Sequence, residues 1–87
     1  METDDLLVFK NLHPKTPIHL LIIPKTHYTN LLDAPSGIWT KIQEMIQKLA
    51  EQYKPKGFRI SSNIGDAALM QHMHVHFLAP VSKEREV

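Results

Sequence analysis

This 87-residue sequence predicts an α+β fold, with a mainly antiparallel sheet of four to five strands and one long amphipathic helix. Three observations carry that expectation. One stretch, residues 36–53, repeats its apolar residues with helical period. Several shorter runs on either side are continuous or alternating in the manner of strands. Prolines, glycines and asparagines join them by short connections, and a helix inserted among strands in this way implies α+β.

The elements follow in order. "DLLVFKNL" (5–12) is apolar and rich enough in Val and Phe for a strand, and "HPKTP" closes it with a proline-marked loop. "IHLLIIP" (18–24) is a nearly unbroken branched run, as an interior strand requires, and it ends at Pro24. Period two puts His19 on the face of Leu21 and Ile23, opposite Ile18, Leu20 and Ile22. From Ser36 to Tyr53, Ile38, Ile42, Met45, Ile46 and Leu49 recur at three- and four-residue steps between polar residues. Asp33 or Ser36 is the expected cap, and "KPKG" (54–57) the stop. Trp39 and Ile46 extend the buried stripe or form a partner surface. "FRISSN" (58–63) alternates as a strand does, "IGDAA" (64–68) reads as a turn, and "LMQHMHVHFLAP" is a last strand ended by Pro80.

Size and composition narrow the function. At this length folding buries only somewhat more than about 60% of the unfolded surface, so one domain over 1–87 is expected, with a short flexible tail at 82–87. A net charge of +1 provides no basic field for nucleic acid. The absence of cysteine excludes disulfides and thiolate metal sites and leaves His, Asp and Glu as ligands. The acidic start "METDD" and the lack of a long apolar run exclude a signal peptide and a membrane span within this sequence, and the cytoplasm is the expected compartment.

Half of the six histidines fall in "HMHVH", at positions 72, 74 and 76. On a strand they share a face at steps of about 6.5–7 Å, with Met73, Val75 and Phe77 packing on the other. Two chemistries fit. Imidazoles at i and i+2, joined by His19, could form a three-nitrogen zinc site, although the nearest acidic residue, Asp66, leaves few second partners for the ligands. Alternatively, one neutral imidazole could be a nucleophile. It would need one bare nitrogen and an acceptor fixing the other, with a neighbouring imidazole donating a proton or binding developing charge. Crowding helps keep such a ring neutral, and the central His74 is the natural candidate. Spacing alone does not choose between them.

At this point the residues resemble a known family. "HMHVHFL" (72–78) matches the histidine-triad pattern His-φ-His-φ-His-φ-φ, with φ apolar, at all seven positions. "FKNLHPKTPIHLLIIPKTH" is similar to that family's proline-rich stretch and following strand, and the helix and "SSNIG" fall in the expected order. The resemblance runs from about Leu6 to Pro80 and points to the small nucleotide-binding, phosphoramidase-like branch of the histidine-triad (HIT) family. It implies a purine nucleotide substrate of AMP or GMP type. His74 would attack the α-phosphorus and form a nucleotidyl-histidine that water opens, with His76 contacting the phosphate and His72 and His19 as supporting histidines. Asn63 would bond near the phosphate. Phe9 and Leu12 would line the base and ribose pocket, with Asn11 facing the ribose hydroxyls. No metal or cofactor is required, and a homodimer is expected.

This sequence departs from the family pattern at several points. Asn11 stands where an Asp is usual, and a neutral amide should grip a hydroxyl less strongly. Leu69 replaces a hydroxyl residue that assists the leaving group, and the turn between Asn63 and His72 is shortened. The chain also starts almost directly on its first strand, without the helix and strand that precede it in relatives. These departures motivate a second expectation, a nucleotide-binding regulatory module with little turnover. A three-histidine zinc protein is the third. His13 and His27 are expected to be loop residues.

Overall fold

In the computed structural model, which describes residues 1–83, the interior strand is the one with the unbroken apolar run. Strand β1 (Leu6–Lys10) and strand β2 (Ile18–Pro24) pair antiparallel, with Leu6 opposite Pro24 and Lys10 opposite Leu20. Helix α1 (Ser36–Tyr53), strand β3 (Arg59–Ser61), a single 3₁₀ turn at Gly65–Ala67 and strand β4 (Val75–Ala79) follow. The four strands form one antiparallel sheet in the order β1-β2-β4-β3, which establishes the predicted α+β class. Among the described residues no helix is long and apolar enough to cross a membrane.

Alternation assigns the two faces of the sheet. Leu6, Val8, Leu20, Ile22, Val75 and Phe77 point one way and are all buried. Ile42, Met45 and Leu49, one stripe of α1, complete the same core. Met73 joins it, as the period-two reading requires. Directly opposed residues share a face. The other face therefore carries Phe9, Leu21, His76 and Ser61 in one row, and His19, Leu78 and Arg59 in the next.

The helix spans the predicted residues but is capped differently. Pro35 occupies the N-cap position and makes no side-chain cap bond. Asp33 instead accepts the Thr29 N–H at 3.2 Å, and Ser36 is already the first helical residue, one position too late to cap. At the far end Lys54 adopts the left-handed conformation (φ 48°, ψ 49°), and its N–H bonds the Ala50 carbonyl. Gly57 serves a different purpose from stopping the helix. A Cβ there would lie 2.4 Å from the Val81 carbonyl oxygen, and the bare backbone lets the Val81 N–H reach the Gly57 carbonyl at 3.0 Å.

The strands are shorter than predicted at both "FRISSN" and "LMQHMHVHFLAP". The second difference matters more, because His72 and His74 precede β4 and only His76 lies within it. The Met73 N–H is taken by the Tyr28 carbonyl at 2.7 Å, so this segment bonds to the loop after β2 and is not part of the ladder. Of the expected tail, residues 84–87 lie outside the described residues.

Candidate active site

The open face of the sheet gathers three imidazoles. His19 on β2 and His76 on β4 meet diagonally, with His19 Nε2 and His76 Nδ1 at 2.8 Å. His74 stands beside them, its ring edge-on to that of His76 with centroids 5.1 Å apart. His72 does not join this group, which corrects the expectation of three histidines along one strand face. Its Nε2–H donates to the Pro24 carbonyl at 3.2 Å, and its ring meets His27 at 4.8 Å between centroids. The physical reason is that residues 72–74 lie ahead of the β4 ladder, so although Met73 keeps its place in the core, His72 is carried past the cluster towards Pro24 and His27. His72 still touches the site through its backbone.

Fixed neighbours decide which nitrogens carry protons. The Lys15 backbone N–H points at His19 Nδ1 (3.1 Å), which must therefore be the bare nitrogen. A neutral His19 then holds its proton on Nε2 and donates it to His76 Nδ1, leaving His76 with its own proton on Nε2. That nitrogen is buried and has no partner among the described residues. The last assignment is at His74, where Nδ1 lies 2.8 Å from the His72 carbonyl, an acceptor only, so Nδ1 is protonated and Nε2 bare. The Ser62 hydroxyl donates to the His74 carbonyl at 2.6 Å and holds this residue to the neighbouring chain. The result is one imidazole with an available lone pair beside another with an unused N–H.

The charge state agrees with this assignment. Burial, followed by the charges of His74, His19 and Lys15, pushes His76 down to about 4. Burial, then Lys15, also lowers His19 from its ordinary value. Both rings are neutral at pH 7, and the available N–H of His76 is a hydrogen-bond donor and not an acid.

A cleft of about 160 Å³ opens on this face, lined by Lys15, His19, Arg59, Ser61, Asn63, His76 and Leu78. Asn63 thus borders the site as expected. Asn11 is adjacent: its Oδ1 accepts the His13 N–H at 2.9 Å, which leaves its amide nitrogen 3.3 Å from His19 Nε2. Because that Nε2 already carries a proton directed at His76, the Asn11 amide has no acceptor there. Phe9 and Leu12, expected to line the base and ribose pocket, are both exposed. Phe9 stands on the open face at 47% exposure, and Leu12 is 91% exposed in the loop beyond β1, where nothing packs over it. Leu69 is likewise fully exposed. A larger cleft, about 360 Å³, lies elsewhere, between Thr3–Leu6 and α1, and contains no histidine among its described lining residues.

Sequence reasoning missed Lys15, Arg59, Ser61 and Ser62. The alternation of "FRISSN" already places Arg59, Ser61 and Asn63 on one face, but only the register opposite β4 shows that this face is the histidine face. Among the described residues no three of His, Cys, Asp or Glu gather as a metal-binding set.

Comparison with known proteins agrees with the geometry. An uncharacterized HIT-like protein from Chlamydia muridarum is 34% identical over 83 residues, covering 88% of this chain and 66% of the relative. A HIT family hydrolase from Clostridium thermocellum superposes with a TM-score of 0.89 at 30% identity, over 100% of this chain and 82% of that one. A histidine triad nucleotide-binding protein from Candida albicans does so with 0.81 at 28% identity, over 88% and 61%. The chain spans just under two thirds of the first curated relatives it matches, 65% and 66%. A family model described as the HIT domain matches residues 1–83, and the chain belongs to the histidine-triad family.

Proposed function

We propose that this protein is a purine-nucleotide hydrolase or transferase of phosphoramidase type, acting at the α-phosphate through a nucleotidyl-histidine on His74. One observation carries the reading: the ring of His74, whose Nε2 is bare, stands edge-on to that of His76, whose Nε2–H has no partner among the described residues. The names of the Clostridium thermocellum hydrolase and the Candida albicans nucleotide-binding protein lend support.

The His74 Nε2 lone pair forms a bond to the α-phosphorus while the bond from phosphorus to the leaving amine or oxygen breaks. The proton stays on His74 Nδ1, hydrogen-bonded to the His72 carbonyl throughout, stabilising the cationic ring that results. His76 Nε2–H donates to a non-bridging phosphoryl oxygen, where negative charge collects. It does not protonate the leaving group: with its other nitrogen occupied by His19, loss of that proton would leave an imidazolate. The leaving group takes its proton from water, since Leu69 offers none. A second water then attacks phosphorus, the N–P bond returns its electrons to His74, and the water proton leaves to solvent. No metal or cofactor enters this scheme.

The test is release of amine from an adenosine phosphoramidate. His74→Ala should lower the rate by about 10⁴-fold or more, as removal of a covalent nucleophile does. Unchanged activity in the variant would sink the mechanism. Nucleotide binding without any turnover in the wild type would favour the regulatory reading, which the fully exposed Leu69 motivates.

We also propose a homodimer. An apolar groove of about 270 Å³ lies between α1 and the β3 edge of the sheet, lined by Leu31, Trp39, Ile46, Ile60 and Val75, and a second copy would cover it. Sedimentation at micromolar concentration should give a dimer; a monomer there would contradict the assignment.

A further inference from the structure

The chemistry at His74 depends on the carbonyl of His72, which accepts the Nδ1–H of the nucleophile at 2.8 Å. That carbonyl lies ahead of β4, so the β4 ladder does not fix its direction. A peptide unit is planar, and the carbonyl of a residue is aimed once the two planes flanking that residue are held. Both planes flanking His72 are held from one short stretch, residues 24–28, at the end of β2.

In the plane ahead of His72, the Gln71 carbonyl accepts the His27 Nε2–H at 3.1 Å. In the plane behind it, the Met73 N–H donates to the Tyr28 carbonyl at 2.7 Å. Between them the His72 ring donates its Nε2–H to the Pro24 carbonyl at 3.2 Å, and the His27 ring stands edge-on against it, at 84°. Two of these three anchors, at Pro24 and Tyr28, are main-chain carbonyls, which do not depend on residue type. The third is a side chain. His27 is exposed, stands outside the core and does not line the histidine cleft, so neither packing nor ligand contact accounts for it.

We infer that His27 is a positioning residue for His74: its ring N–H holds the Gln71 carbonyl, and through the next peptide unit it aims the His72 carbonyl at Nδ1 of the nucleophile. The loop histidine thereby acts on the site without touching the ligand. This role rests on the proposed function and deepens it, because the tautomer with Nε2 bare is the one that attacks phosphorus. Without the anchor, the His72 carbonyl turns away and the His74 proton distributes over both nitrogens. The Ser61 and Asn63 wall of the cleft is left in place, so the loss falls on kcat and not on KM.

Two substitutions separate the N–H from the ring. His27→Gln keeps a side-chain N–H donor and removes the ring, whereas His27→Phe keeps a ring and removes the donor. In hydrolysis of an adenosine phosphoramidate, His27→Phe should lower kcat by about 10- to 100-fold with KM unchanged, and His27→Gln should retain most of the rate. Nitrogen-15 chemical shifts of the His74 ring give a readout independent of turnover. In the wild type Nδ1 should be protonated and Nε2 bare; the two shifts should converge in His27→Phe and stay apart in His27→Gln. Thermal midpoints of all three proteins should lie close together, because the residue is exposed. A His27→Phe protein with wild-type kcat and separated shifts would overturn the assignment, and so would equal losses in both variants. A wild type that does not hydrolyse the phosphoramidate would remove the catalytic reading instead, and the nitrogen shifts would still decide the role of His27.

Discussion

Phe77 and His76 are neighbours on β4 and belong to opposite worlds. Phe77 is fully buried, stacked on Phe58 and opposed by Leu20. His76 points the other way, partly covered, with one nitrogen bonded to His19 and the other buried without a partner. One face of the sheet is thus closed by α1, and the other is left unfinished around three imidazoles. The difference teaches that stability and chemistry occupy alternate residues of the same strands, and that the unsatisfied group lies on the chemical side.

Paired substitutions would break or sharpen this contrast most directly. Phe77→Ala should lower unfolding stability by about 3–5 kcal/mol, a large share of what a small domain has, while kcat measured on the folded fraction changes little. His76→Gln should do the reverse. It takes the aimed ring N–H away from the developing charge, for which a loss of about 10²–10³ in kcat is expected, and its amide oxygen can still accept from His19, so denaturation midpoints should hold. Equal losses of stability and activity in both variants would erase the division between faces.

A smaller effect should appear on acidification. The unfolded chain protonates this histidine near 6.5, whereas the folded chain resists down to about 4. Between those values the unfolded state binds more protons, so stability is full above pH 6.5 and falls as the pH drops through the window. The loss should total about 2–3 kcal/mol, and denaturant titrations of His76→Gln should show a flatter profile over the same range.

The smallest effect belongs to Ser62, whose hydroxyl holds the His74 carbonyl. Ser62→Ala should cost about 1 kcal/mol of stability and lower kcat several-fold with KM unchanged, because it loosens the nucleophile and leaves the cleft wall in place. A change confined to KM would show that Ser62 touches the ligand instead.

These residues also show what could be read in advance. β2 and α1 were legible to the residue because their periods are carried by bulky apolar side chains that must find the core. His19 was placed on the correct face by the same logic. The run "HMHVH" misled because its alternation looks like a strand, yet Met73 bonds Tyr28 and the His74 ring bonds the His72 carbonyl, so local hydrogen bonds displace the ladder. The tautomers were not legible, since they depend on the Lys15 amide and two carbonyls whose positions only the fold supplies. Arg59 and Lys15 stand far apart in sequence and share a cleft only through the register of β3 on β4 and β4 on β2. The caps failed for a simpler reason: Asp33 found a closer donor in its own turn.

Lys54 has a consequence of another kind. It ends α1 in a left-handed conformation that glycine adopts freely and a side-chain-bearing residue adopts at a cost of about 1 kcal/mol. The chain therefore leaves stability unclaimed at a position remote from the histidine face. Over generations of mutation, or in a designed variant, one glycine at that helix end could compensate a destabilising change near the cleft, so the unfinished face of the sheet has room to be altered without loss of the fold.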